Sequence, residues 1–188
     1  LGANALTAAT AVLGAGDATA TPTAGTLRAT AAAGDNKRGA DLVLAAGNVR
    51  FAGFTVRGAA QAGLFVFRAN NVMIENNLFI SNTRFGLGAL EARGLIVRNN
   101  VAVSNLESGM AFSGATGLAV AGAPTNCPAS PSGAYGAWIV NNVSSDNRAD
   151  GILLSAGGNV CVADNVTNNN GSSGIEFNNR SEGGSVPP

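Results

Sequence analysis

The sequence predicts an all-β chain folded as a single right-handed parallel β-helix, a solenoid of about 23 residues per coil, on the evidence of three columns of repeated residues. The first column is Asn76-Asn77-Leu78-Phe79, Asn99-Asn100-Val101-Ala102, Asn141-Asn142-Val143-Ser144 and Asp164-Asn165-Val166-Thr167, whose starts are separated by 23, 42 and 23. The second is Gly63-Leu64, Gly86-Leu87, Gly109-Met110, Gly151-Ile152 and Gly174-Ile175, spaced by 23, 23, 42 and 23. Both agree on one period and on one insertion, whose length is the excess of 42 over 23.

The third column gives the secondary structure. Val49-Arg50-Phe51, Val72-Met73-Ile74, Leu95-Ile96-Val97, Ala137-Trp138-Ile139 and Val160-Cys161-Val162 each place apolar residues at i and i+2, the period of a strand. The glycines open further short strands with the pairs Leu64/Val66, Leu87/Ala89, Met110/Phe112, Ile152/Leu154 and Ile175/Phe177. Each repeat therefore holds two or three short strands, which is too little chain for a helical solenoid.

Stacked rungs lie about 4.8 Å apart, so equivalent side chains sit above one another. The columns Asn77/Asn100/Asn142/Asn165 and Asn82/Asn105/Asn147/Asn170 then form amide ladders at two corners. The glycine column marks a turn that needs either a positive φ or room no Cβ would leave.

With these columns in place, the chain resembles the parallel β-helix repeat proteins of the pectin-lyase-like superfamily. The resemblance rests on Phe51-Ala52-Gly53-Phe54-Thr55-Val56 and on the Asn-Asn and Gly-Ile/Leu columns, and it covers roughly residues 40–180. Residues 1–39, rich in Ala, Thr and Gly, are expected to supply a partial coil and a segment that caps the open edge. An insertion at about 117–135 leaves the solenoid, and residues 181–188 read as a linker-like tail. The chain starts at Leu1 with no basic leader, so any signal peptide is expected to be already removed.

Composition narrows the chemistry. The formal charge is zero and no Lys or Arg run occurs, which argues against nucleic acid as a partner. No apolar stretch reaches the length of about 18 residues that a membrane-crossing helix needs, so membrane insertion by a helix is not expected. The chain has no histidine, which excludes imidazole-based hydrolysis and His-ligated zinc, and Met73 and Met110 alone do not make a copper site. The sequons Asn142-Val143-Ser144 and Asn165-Val166-Thr167 coincide with the ladder and read as products of the repeat.

Two cysteines remain. Cys127 lies in the insertion and Cys161 in the outward column behind Trp138, so an insertion folded back over this face pairs them as a disulfide; the alternative is two inert thiols. A bridge would close the loop between positions 127 and 161 and place the protein outside the cytoplasm, in the extracellular space, at the cell surface or in the periplasm. The outward column Arg50, Met73, Ile96, Trp138, Cys161 is unusually apolar, as is the strip Phe65, Phe67, Leu90. Each awaits a covering segment, a partner or a sugar that stacks on it, and Phe65, Phe67 and Trp138 are the binding candidates.

For catalysis, the resemblance implies lyases that hold Ca²⁺ on acidic residues beside an Arg or Lys base. The only local acidic pair is Asp146 and Asp150, with Arg148 between them. The competing reading makes Asp146 a turn residue aligned with Ser81, Ser104 and Asn169. Glu75/Arg98 and Arg84/Glu107, the members of each pair one period apart, are expected to be surface ion pairs. The preferred functional expectation is an extracellular module with a structural, assembly or binding role, its partner a polysaccharide or another copy of itself, with no cofactor or metal. The alternative is a polysaccharide lyase or epimerase working on an acidic glycan with Ca²⁺.

Overall fold

A computed structural model describes residues 48–59, 61–114, 127, 136–155 and 159–178, together with the backbone of three strands nearer the N-terminus. Those three are β1 (Ala5–Ala8), β2 (Leu27–Thr30) and β3 (Asp41–Leu44). Five coils follow, each contributing one strand to each of three sheets. The first holds β4 (Val49–Ala52), β5 (Phe54–Arg57) and β6 (Leu64–Phe67). The second holds β7 (Asn70–Glu75), β8 (Leu78–Ile80) and β9 (Leu87–Leu90). The third holds β10 (Arg93–Arg98), β11 (Val101–Val103) and β12 (Met110–Ser113). The fourth holds β13 (Ala137–Val140), β14 (Val143–Ser145) and β15 (Ile152–Ser155). The fifth holds β16 (Val160–Ala163), β17 (Val166–Asn168) and β18 (Ile175–Asn178).

Sheet I has the order β16-β13-β10-β7-β4, sheet II β1-β5-β8-β11-β14-β17 and sheet III β18-β15-β12-β9-β6-β3-β2. From β3 onward every pairing between successive coils is parallel, with registers that advance by the repeat, as in Val97 beside Ile74 and Leu87 beside Leu64. The fold is the expected parallel solenoid. At its N-terminal end β1 lies antiparallel on β5, and β2 antiparallel on β3. The rest of the expected capping segment, most of the 117–135 insertion and the 181–188 tail lie outside the described residues.

Inside the tube, alternate residues stack in columns. Phe51, Ile74, Val97 and Ile139 form one column, and Leu64, Leu87, Met110 and Ile152 another, all fully buried. A third column changes character along the axis, running Val56, Phe79, Ala102, Ser144 and Thr167. Ser144 is buried, and its hydroxyl donates to the Gly151 carbonyl at 2.7 Å, so the polar substitution keeps its hydrogen bond.

Corners carry the polar work. Asn77 N–H and Nδ2 both donate to Asn100 Oδ1 at 3.0 and 2.9 Å, Asn100 does the same to Asn142 Oδ1, and Asn142 to Asn165 Oδ1. The same geometry links Asn82, Asn105, Asn147 and Asn170 at the next corner. Ladder amides also donate to main-chain carbonyls of the preceding coil, for example Asn100 Nδ2 to Ile74 O at 2.9 Å. In the first coil Phe54 and Ala59 occupy the ladder positions and donate their N–H groups to Asn77 and Asn82, so the ladders start there.

The first Asn of each Asn-Asn pair has a different task. Asn76, Asn99, Asn141 and Asp164 all have φ near 55°, the left-handed corner that Asn and Asp tolerate best. The glycine column resolves to its second reading, close approach: a Cβ on Gly86 would stand 2.7 Å from the Gly109 carbonyl and 2.9 Å from Asn105 Nδ2.

A mid-ladder amide is therefore worth more than a terminal one. Asn100→Ala removes the acceptor of the Asn77 N–H and of one Asn77 Nδ2 bond, and leaves Asn142 Oδ1 without the Asn100 Nδ2 donor, all in the interior; its expected cost in urea unfolding is about 3 kcal/mol. Asn165→Ala, on the partly exposed last coil, is expected to cost about 1 kcal/mol in the same measurement.

Candidate functional site

Side chains that could meet a ligand stand on the outer faces of the three sheets. On sheet III, β6 turns Leu64 and Val66 inward and Phe65 and Phe67 outward. Their rings stack along the strand with centroids 6.4 Å apart and planes 19° off parallel. Phe65 also packs on Phe85, Ala62 and Ala111. Gly88 makes room for it, since a Cβ there would come within 2.7 Å of the Phe65 ring. The Arg68 guanidinium lies 4.9 Å from the centre of the Phe67 ring and that of Arg84 4.5 Å from the centre of Phe85. Each of these arginines is neutralised one rung on, Arg68 by Glu91 and Arg84 by Glu107, both at 2.7 Å. The result is a partly exposed aromatic strip on a rigid strand, bordered by two ion pairs.

Arg84–Glu107 follows the sequence expectation. Arg68–Glu91 lies outside that expectation, although the same one-period spacing marks it.

Asp146, Arg148 and Asp150 occupy one turn but do separate jobs. Asp146 sits exposed at a left-handed corner with φ 56°, in the column of Ser81, Ser104 and Asn169, and accepts a hydrogen bond from Asn169 Nδ2 of the next rung. Asp150 is buried; its carboxylate accepts the Ser173 N–H at 3.0 Å and the Ser108 hydroxyl at 3.4 Å. Arg148 is exposed. Both carboxylates are thus engaged with neighbouring rungs. Among the described residues there is no group of three or more His, Cys, Asp or Glu side chains placed to hold a metal ion. The Asn142 sequon amide is buried and committed to the ladder, as its column implied.

Sheet I carries the largest departure from expectation. Glu75 does not form a surface pair: its side chain is only 5% exposed and is clamped by two arginines, Arg50 of the coil before and Arg98 of the coil after. Arg98 Nε reaches Glu75 Oε2 at 2.6 Å, and Arg98 Nη2 lies 3.7 Å from Met73 Sδ. Burial pushes the Glu75 carboxyl up, but the hydrogen bonds and charges of Arg98 and Arg50 outweigh it and hold the group below its ordinary value.

Further along the same face, Ile96, Trp138 and Cys161 form a buried cluster with Met73, Cys127 and Ala163 against it. Cys127 and Cys161 are joined as a disulfide with Cα atoms 6.0 Å apart. Trp138 is 4% exposed, so its ring offers no open face, and it belongs to this cluster rather than to a binding surface. The reason is the bridge itself, which brings Cys127 of the insertion onto the column.

The family described as right handed beta helix region matches residues 22–141, more than half of the chain. The chain belongs to that family, a membership that carries the fold and leaves the activity open. Comparison with the curated proteins gives no match, and comparison with the solved structures gives none.

Two outcomes test this face. Because the Glu75 carboxyl is lowered in the folded chain, its contribution is complete above the ordinary carboxylate range and disappears as pH falls through the lowered value. Urea midpoints measured from neutral to acid pH are expected to fall more steeply for the wild type than for Glu75→Gln, which starts lower and has no such carboxylate to lose. Separately, reduction of Cys127–Cys161 is expected to cost about 3–4 kcal/mol in the chain-entropy account. Trp138 is the only tryptophan, so its emission reports the change directly, shifting to the red as the cluster opens.

Proposed function

We propose that this chain is an extracellular or surface-attached β-helix module that holds a polysaccharide against the outer face of sheet III. The observation that carries this reading is the Phe65–Phe67 strip: two aligned, partly exposed rings fixed on one strand. Flat aromatic faces of this kind stack on the C–H faces of sugar rings, and a rigid platform loses little entropy when it does so. The neighbouring charges are compensated by the pairs Arg68–Glu91 and Arg84–Glu107, which favours a neutral glycan over a polyanion. Placement outside the cytoplasm rests on the disulfide. The carboxylates of Asp146 and Asp150, engaged by Asn169, Ser108 and Ser173, give the lyase alternative no geometric support.

Affinity electrophoresis through gels containing neutral or acidic polysaccharides, with chain length followed in parallel, tests the reading. The wild type is expected to be retarded by at least one neutral polymer without shortening it. Phe65→Ala/Phe67→Ala is expected to migrate freely with an unchanged circular dichroism spectrum. Equal retardation of wild type and variant, or none of the wild type by any polymer, would sink the proposal.

A further inference from the structure

The aromatic strip on sheet III has two edges, and both are built alike. At one, Arg68 lies over Phe67 and its Nε donates to Glu91 Oε2 of the next rung at 2.7 Å. At the other, Arg84 lies over Phe85 and its Nε donates to Glu107 Oε2, also at 2.7 Å. Ring, guanidinium and carboxylate thus recur as a unit. The repeat does not generate this likeness, because Phe67 closes β6 whereas Phe85 lies in the turn before β9. All four charged side chains are open to water: Arg68 and Glu91 are 65% and 50% exposed, Arg84 and Glu107 46% and 42%. Exposed pairs of this kind add little stability. What they offer instead is a donor and an acceptor, side by side, at each edge of the strip.

Ring orientation restricts what can lie between those edges. Phe65 leans over Gly88 of the next rung, where a Cβ would come within 2.7 Å of its ring. Phe67 keeps its plane within 19° of that of Phe65, at a centroid distance of 6.4 Å. Two sugars of one chain that stack on both rings must therefore present nearly parallel faces. A β-1,4-linked pyranose chain whose glycosidic bonds leave each ring equatorially does so, as a flat ribbon. An α-1,4-linked chain turns each ring against the last, and a sugar stacked on one phenyl leaves the other uncovered. Configuration matters as well. A pyranose lying face-on holds its equatorial hydroxyls in the ring plane, at the rim, whereas an axial hydroxyl leaves that rim. Neighbouring equatorial hydroxyls donate to a carboxylate and accept from a guanidinium at once.

We infer that the glycan is a flat β-1,4-linked ribbon of sugars with equatorial hydroxyls, and that Arg68–Glu91 and Arg84–Glu107 are the groups that read those hydroxyls. The inference rests on the glycan reading of sheet III and adds to it the linkage, the hydroxyl configuration and four specificity residues.

Isothermal titration with three hexasaccharides gives the test: cellohexaose, its α-linked isomer maltohexaose, and mannohexaose, a β-1,4 ribbon whose 2-hydroxyl is axial. Cellohexaose is expected to bind, maltohexaose about tenfold or more weakly by comparison, and mannohexaose about fivefold more weakly, the worth of roughly one hydrogen bond. Glu91→Gln/Glu107→Gln, with an unchanged circular dichroism spectrum, is expected to bring cellohexaose and mannohexaose within about twofold of each other. A purely structural role for the pairs would not move that ratio. Maltohexaose bound as tightly as cellohexaose through the same two phenylalanines would overturn the inference and leave the glycan reading standing. A selectivity untouched by the double Gln variant would remove the ion pairs from the site. Failure of all three hexasaccharides would also overturn the inference, and retardation in the polysaccharide gels decides separately whether the glycan reading falls with it.

Discussion

Register between successive coils is the constraint on which everything else in this chain depends. A parallel rung pairs through main-chain bonds that any sequence can make, so those bonds do not by themselves say which residue stands over which. The asparagine ladders do. Asn100 Oδ1 receives both donors of Asn77, while its own amide is returned to Ile74 O, and a slip by one residue would break all three bonds and leave the Asn77 N–H and Asn100 Oδ1 in the interior without these partners. With the corners pinned, the inward columns coincide, and the burial of Phe51, Ile74, Val97 and Ile139 in one stack follows. The glycines are part of the same device: Gly86 and Gly109 allow the chain to pass so close that no Cβ fits.

Because the fold is a translation repeated, most of it was legible in the sequence. The period, the two strand columns, the ladder positions and the inserted segment all appear as coincidences at one fixed spacing, and Cys127–Cys161 followed from the column that Cys161 shares with Trp138; the sequence left open whether a coil holds two strands or three, and the structure shows three. What escaped was whatever depends on cover rather than on period. Glu75 occupies an outward position by alternation, yet it is buried because Arg50 and Arg98 close over it from both sides. Trp138 is outward by the same rule and buried through its cluster with Ile96, Cys161 and Cys127. Alternation assigns a face of the sheet; it does not say whether that face meets water.

The division of labour within Asn-Asn was legible by half. The second asparagine of each pair, in the column Asn77/Asn100/Asn142/Asn165, was expected to form the ladder and does, whereas the left-handed φ of the first was not foreseen, because a residue's type permits that backbone conformation without announcing it. Ser81, Ser104 and Asp146 show that the corner is the more permissive of the two, since several residue types occupy it there. The ladder position holds asparagine in four consecutive coils, because only a primary amide offers an acceptor to the rung behind and donors to the rung ahead from one planar group.

This economy bears on what the protein can do. Carboxylates that a catalytic site would draw on are instead spent on register: Asp150 on Ser108 and Ser173, Glu75 on two arginines, Glu91 and Glu107 on one each. Pairing at one-rung spacing cancels charge locally, so the middle of the solenoid exerts little field at a distance, and recognition there must work by contact and shape.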